Sequence, residues 1–344
     1  MAAPADTADT ARRATTDRAR RAEHSPSGGW RTIAAKELAD HITSSRFLVL
    51  LLIVTVTAIV PMYFISSDIS GAAPQLAGQP ALFLALFVVG SPSLGNVAVV
   101  SFAALLVPLV GIAFGFDGIN SERSQGTLSR LLAQPIHRDD VINGKFAAGI
   151  AVIAVMILTL VIVVAGLGMV RLGIVPTPEE IARIVVWAAA TILYASFWLA
   201  FALLLSTVMR GTASAALVGF GTWLGLLLFG QFLLPLLANV LFPLDKADAN
   251  SYLASTTAQA TFMRISPSTL YGDIITAVLN PNTKTVLGVG NLGQYVSSQQ
   301  QVPGLLSLDQ SILLVWPQIV AMVAITVVLF ALAYILFLRQ EVRA

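Results

Sequence analysis

The sequence predicts an all-α, polytopic membrane protein with six transmembrane helices and both termini on the cytoplasmic side of the cell membrane. Three observations carry this prediction. Apolar residues make up 56% of the 344 residues and charged residues 11%, against about 25% charged in a water-soluble domain. Six stretches, 47–65, 96–116, 146–170, 184–208, 212–241 and 311–338, are long apolar runs. A hydrocarbon layer of about 30 Å takes about 20 residues of helix, so each run is long enough to span it. Of the 20 Lys and Arg, only Arg171, Arg183, Lys246, Arg264 and Lys284 fall in segments that are outer when the N-terminus is inside. Basic residues collect in cytoplasmic loops, so this bias selects both termini inside and an even number of spans.

Residues 1–29 are rich in Ala, Thr, Asp and Arg without apolar periodicity and are predicted to form a disordered, basic cytoplasmic tail. Arg12, Arg13, Arg18, Arg20 and Arg21 suit a cytoplasmic end beside anionic lipid. No apolar core of a signal peptide stands among them. Over 30–46, Trp30, Ile33, Ala34, Leu38 and Ile42 alternate with Arg31, Lys36, Glu37 and Asp40 in a helical pattern. That predicts an amphipathic helix at the interface, with a plain extension of the first span as the alternative. The transmembrane domain then occupies 47–344.

Within it, the apolar run 80–90 is too short to span and ends at Ser91-Pro-Ser-Leu-Gly95; it is expected to be an interfacial or re-entrant helix outside the membrane. Met209-Arg210-Gly211 joins the fourth and fifth spans in a tight inner hairpin. The polar stretch 242–310 is expected to fold as an outer cap. Pro235 is expected to kink the fifth span. Gly111-x-x-x-Gly115 and Gly221-x-x-x-Gly225 permit close helix packing.

The segment 117–145 stands out as polar and mixed in charge between two spans. Gly118, Asn120 and Ser121 are helix-start signals and Pro135 a stop. Ile119, Leu128, Leu131 and Leu132 oppose Glu122 and Arg123, giving a short helix or helix pair with one apolar side. About a dozen residues do not hold a helix alone in water, so it must lie against its own chain or a soluble partner.

Much chemistry is absent. There is no cysteine, hence no thiolate nucleophile or cysteine-ligated metal. His24, His41 and His137 lie far apart and have no metal-ligand spacing. Gly144-Lys145 has Asp139 where a P-loop needs glycine and Phe146 where it needs Ser or Thr. Gly288-x-Gly290-x-x-Gly293 matches a dinucleotide fingerprint by letter only, since no strand–turn–helix surrounds it. Neither a zinc-protease nor a serine-hydrolase motif occurs. None of the 18 Asp and Glu falls in the six runs, whereas ion-driven transporters keep ionisable groups inside the membrane. A polytopic enzyme is disfavoured on the same grounds. Energy for any uphill transport would come from a separate soluble subunit, received by 117–145.

The spaced residues Phe116-Asp117, Glu122-Arg123-x-x-Gly126-Thr127-Leu128, Leu131-Leu132-x-x-Pro135-Ile136-x-Arg138 and Val141-Ile142-x-Gly144-Lys145 resemble the cytoplasmic signature of ATP-binding-cassette (ABC) transporter permeases of the type-2 exporter class. Ala35-Lys36-Glu37-Leu38, Ser44-Ser45-Arg46 and Ser266-Pro267 are similar to other parts of that family, so the resemblance covers residues 30–344. It implies a non-catalytic permease subunit that holds no cofactor itself, with ATP and Mg²⁺ on two copies of a cytoplasmic ATPase. It implies a second permease copy or paralogue. It also implies a cytoplasmic coupling helix between spans two and three that docks on the ATPase through Glu122, Arg123, Gly126, Thr127 and Leu128, with Leu131, Leu132 and Pro135 completing the segment. The alternative function is a membrane scaffold that docks soluble partners without transport. An apolar pathway with a few hydroxyl and amide groups mildly favours lipid-like or amphipathic cargo.

Overall fold

The computed structural model describes residues 29–72, 81–124, 126, 137–241, 243, 258–281 and 306–340. These form helices α1 (Gly29–Ile42), α2 (Ser45–Gly71), α3 (Leu82–Val88), α4 (Val99–Gly115), α5 (Asn120–Ser124), α6 (Arg138–Leu172), α7 (Pro178–Val208), α8 (Thr212–Leu241), α9 (Pro267–Leu279) and α10 (Leu308–Arg339). Among the described residues the only β feature is an isolated bridge between Ser91 and Val97. The predicted tail lies outside the described residues except for Gly29.

Helices α2, α4, α6, α7, α8 and α10 are long and apolar enough to cross a membrane, and each overlaps one predicted run. Most extend past the run because polar residues close their ends. Ser44 Oγ accepts from the Phe47 N–H at the start of α2. Thr177 with Glu180, and Ser307 with Gln310, form reciprocal caps on α7 and α10. Such caps satisfy first-turn N–H groups that have no partner within the helix.

Helix α7 is the axis of the bundle. Two thirds of its apolar window (67%) is buried, against 11% for α8. Trp187, Tyr194 and Trp198 fill the space around it. Helix α4 lies almost backbone-to-backbone on α7. A Cβ on Gly111 would stand 2.5 Å from the Ala195 carbonyl oxygen, and one on Gly115 would stand 2.7 Å from the Ala202 Cβ. The first glycine pair is therefore used inside the chain, whereas the second, Gly221 and Gly225 on α8, faces open space.

Three short helices complete the bundle. Helix α1 packs its Ile33 against Gly144 of α6 and breaks at Thr43 before α2 begins, so it is a separate helix rather than an extension of the first span. Helix α3, from the 80–90 run, departs from the interfacial expectation. Phe83, Leu84, Ala85, Leu86, Phe87 and Val88 are all buried, with Leu86 against Gly168 of α6 and Phe87 edge-on to Trp187 of α7. An interfacial helix needs a polar face, and Leu82–Val88 has none, so it plugs the bundle.

Helix α9, from the expected outer cap, is also inserted rather than laid on top. Its Tyr271 stacks on Tyr194 at 4.4 Å and shares a 2.8 Å hydrogen bond with Thr191. Thr191 lies more than three turns inside α7, about 20 Å from its first residue. Helix α9 therefore runs outward from within the bundle, and its C-terminal carbonyl at Val278 accepts from Arg183 Nη1 at 2.8 Å. The remainder of the expected cap lies outside the described residues save for 243, 258–266, 280–281 and 306–307.

Candidate functional site

The end of the bundle bearing α1, α5 and the C-terminus of α10 carries the sequence-predicted coupling residues. Asn120–Ser124 forms the single-turn helix α5. Its start is held by Ser206 near the end of α7, whose Oγ accepts from the Ile119 N–H at 3.0 Å and the Asn120 N–H at 3.1 Å. Asn120 is fully buried, and its Nδ2 donates to the Gly211 carbonyl at 3.4 Å. The loop entering the 117–145 segment and the hairpin between α7 and α8 are thus fastened together.

Glu122 and Arg123 both turn inward. Lys145 Nζ lies 2.7 Å from Glu122 Oε1 and 3.0 Å from Glu37 Oε1, with only 8% of its side chain exposed. One ammonium therefore ties α5 and α1 to α6. Arg123 Nη2 donates to Gln340 Oε1. Gln340 Nε2 donates to the Thr207 carbonyl at 2.6 Å, and the Gln340 carbonyl accepts from Arg138 at 3.0 Å. A single glutamine joins α5, α6, α7 and the end of α10. Gly126 adopts φ +66° with open space around it. Thr127, Leu128, Leu131, Leu132 and Pro135 lie outside the described residues.

Arg46 at the start of α2 forks onto Asp117 at 2.6 and 3.1 Å and reaches the Ala113 carbonyl at 2.8 Å. Such two-point, charge-assisted pairing fixes geometry as well as adding energy. A cavity of about 200 Å³ opens among these groups, lined by Glu37, His41, Arg46, Asp117 and Lys145 among others. His41 presents its ring edge-on to Phe114 at 5.1 Å. Burial lowers its pKa, with Lys145 and Arg46 adding to the effect and Glu37 and Asp117 opposing it, so the imidazole is neutral at pH 7. Among the described residues no group of acidic and histidine side chains could hold a metal ion.

Sequence reasoning singles out Glu122 and Arg123 but misses their partners. Lys145 and Glu37 stand in the quoted motifs without an assigned role. Ser206 and Gln340 give no sequence signal beyond being polar residues at the ends of apolar runs.

The opposite end carries buried ionisable groups of its own. Arg183 is 1% exposed and donates to Val278 O, Leu306 O and Ser311 Oγ as well as to Glu179. Glu180 accepts from the Phe83 N–H at 2.9 Å, so the first turns of α7 hold α3, α9 and α10 together. Asp273 of α9 pairs with Arg264 at 3.0 Å. None of these residues lies in the six apolar runs, yet Arg183, Glu180 and Asp273 are buried in the bundle, because α9 carries Asp273 in and α7 begins before its run. A second cavity of about 190 Å³ lies between α3, α4 and α9, beside Val88, Ser101, Thr276 and Asn280.

With this geometry in place, comparison with known proteins is decisive. Residues 31–342 match the model of the ABC-2 family transporter proteins. The chain belongs to the ABC-2 transporter family. Two relatives are each named "Probable ABC transporter permease protein NosY". The one from Stutzerimonas stutzeri is 29% identical over 60% of this chain and 69% of its own length. The one from Pseudomonas aeruginosa is 30% identical over 60% of this chain and 70% of its own length. This ABC-2 protein is thus a multi-pass membrane permease subunit of an ABC transporter, and its six long apolar helices accord with that.

Proposed function

We propose that this ABC-2 permease is an exporter subunit, seated in the cell membrane with both termini inside. Its 117–145 segment receives the conformational stroke of two copies of a cytoplasmic ATPase that carries the ATP and Mg²⁺. The observation that carries the reading is the fastening of α5. Ser206, Lys145 and Gln340 bind the root of the segment to α7, α6 and α10. Movement of the segment is therefore transmitted to three spans at once. In this reading Glu122 and Arg123 hold the lever at its base, and the stretch Thr127–Pro135, with Leu128, Leu131 and Leu132, meets the ATPase. A ligand shifts a two-state protein only through differential contacts with the two states, and a rigid root is what converts ATPase closure into such a difference.

Helix α8 supports a second permease copy beside this one. It is the least buried span and its open Gly221 and Gly225 permit close approach of another helix. The test is co-purification of the tagged chain with its ATPase from native membranes, comparing wild type with Leu131→Asp/Leu132→Asp and with Glu122→Ala/Arg123→Ala. Loss of the ATPase in the leucine variant, and retained ATPase with lost transport-coupled hydrolysis in the Glu122/Arg123 variant, is the expected pattern. Absence of any P-loop ATPase from wild-type preparations in several mild detergents sinks the proposal.

A further inference from the structure

Among the described residues Arg264 stands out as a cation whose depth and open Nη groups do not fit a purely structural role. Its Nε lies 3.0 Å from Asp273 Oδ2. Its two Nη groups have no partner among the described residues, and 43% of its side chain is exposed. The same Asp273 Oδ2 that orients it also accepts from Gln318 Nε2 at 3.3 Å. Gln318 is only 6% exposed, and its Oε1 is buried without a partner among the described residues. A buried amide left half satisfied is costly, and here it serves to position the carboxylate that aims the guanidinium. Leaving a planar guanidinium with its Nη edge open while Nε is fixed gives the two-point geometry that phosphate and carboxylate groups take. The start of α9, at Pro267, lies three residues on and adds its positive helix end.

The depth of the fork identifies the environment. Helix α10 has 32 residues, so it is about 48 Å long, and a centred hydrocarbon layer of about 30 Å leaves about 9 Å beyond each side. Gln318 stands ten residues into α10, about 15 Å from its end and so about 6 Å inside the hydrocarbon boundary. Trp316, two residues earlier, is 55% exposed, and exposed tryptophans mark the headgroup level of a bilayer. Beside the fork in the chain, Ile265 is exposed and apolar, which suits an oxyanion that arrives with an apolar body.

We infer that Arg264, aimed by Asp273, is a binding site for the phosphate of an amphiphilic lipid in the leaflet on the α9 side. The site is independent of the ATPase and of the direction of transport. Asp273 supplies one counter-charge through Nε, and a lipid phosphate supplies the acceptors for the two Nη groups, whose donors are costly to leave unmet near hydrocarbon. Free inorganic phosphate offers the same oxyanion without the tails, and the experiment separates the two.

Full-length protein in maltoside detergent is titrated with dioctanoyl phosphatidylglycerol, dioctanoylglycerol and inorganic phosphate, with retained adducts read by native mass spectrometry. The expected result is retention of the phosphatidylglycerol and not of the dioctanoylglycerol. Arg264→Gln weakens retention about tenfold, the loss of a charged hydrogen-bonding pair, and Arg264→Lys falls between. Modification of wild-type Arg264 by phenylglyoxal, located by peptide mass mapping, is blocked by the phosphatidylglycerol; this reading needs no variant to fold. Equal retention by wild type and a correctly folded Arg264→Gln overturns the inference, as does unprotected phenylglyoxal labelling. Displacement of the lipid by equimolar inorganic phosphate assigns the site to a free oxyanion and overturns the lipid assignment. No arm involves ATP hydrolysis, so failure here leaves the transport reading standing.

Discussion

Lys145 Nζ lies 2.7 Å from Glu122 Oε1 and 3.0 Å from Glu37 Oε1, so a single ammonium of α6 neutralises carboxylates from two other elements. Lys145→Met deprives two largely buried carboxylates of the ammonium they share. Removing one member of a buried pair costs about 3 kcal/mol. The expected outcome is a marked fall in the melting temperature of the detergent-solubilised protein. The triple change Glu37→Gln/Glu122→Gln/Lys145→Met recovers much of that loss, because the carboxylate charges are removed together with the ammonium. A triple variant as unstable as the single one contradicts this account.

Ser206 accepts two consecutive backbone N–H groups, those of Ile119 and Asn120. Ser206→Ala removes one oxygen and leaves two donors without it, at about 2 kcal/mol for buried donors. Hydrogen exchange across 119–124 is expected to rise while the cores of α6 and α7 stay protected. Ser206→Thr, which keeps the oxygen, retains most of the protection.

The two glycine pairs respond in opposite ways. Gly111→Ala drives a methyl to 2.5 Å from the Ala195 carbonyl and forces α4 off α7, a core overpacking that costs about 1–3 kcal/mol. Gly225→Ala meets open space and leaves the melting temperature of the single chain unchanged or slightly raised, since alanine favours helix. Thermal unfolding of the two variants side by side reads the difference.

His41 confers a pH dependence with a definite sign. Burial lowers its pKa in the folded protein, while the unfolded chain titrates near the ordinary value, about 6.5. Below that value the unfolded state binds a proton that the folded state resists, so stability falls as the medium is acidified and is restored above it. Glu37, Arg46, Asp117 and Lys145 surround the ring from α1, α2, the α4–α5 turn and α6. His41→Gln is expected to flatten the melting-temperature profile between pH 5 and pH 7.5. An unaltered slope assigns the effect to other groups.

Arg183 joins α9, α10 and Leu306 at the opposite end. Arg183→Met strands the Val278 and Leu306 carbonyls and is expected to expose α9 to limited proteolysis near residues 280 and 306. Arg183→Lys, with a point charge in place of a fork, recovers only part of the protection.

The spans were legible because each contains a long run free of charge, and the polar segment 117–145 was legible because it interrupts two of them. Helices α3 and α9 were harder to read. Leu82–Val88 and Pro267–Leu279 are shorter than any span, and their burial depends on neighbours contributed by α2, α6, α7 and α10. Their depth follows from contacts such as Tyr271 on Tyr194, which leave no periodic trace. At the candidate coupling site, Glu122 and Arg123 were singled out by the resemblance to the ABC permease signature. Which way they turn was decided by Lys145 and by Gln340, which lies more than 200 residues away in the chain. No local pattern encodes such a pairing.

Proline divides the spans mechanically. Helices α2, α4, α8 and α10 carry Pro61, Pro108, Pro235 and Pro317 within their length, and each proline omits a backbone hydrogen bond and forms a joint. Helix α6 carries none, and α7 only Pro178 at its first position, where no helix hydrogen bond is lost. The residues that grip α5 and those that grip α9, Ser206 and Arg183, lie on the same unjointed rod about 35 Å apart. The bundle is in effect a pair of stiff struts with four articulated members around them. A tilt applied at one end of α7 is delivered at the other with little of it absorbed in bending.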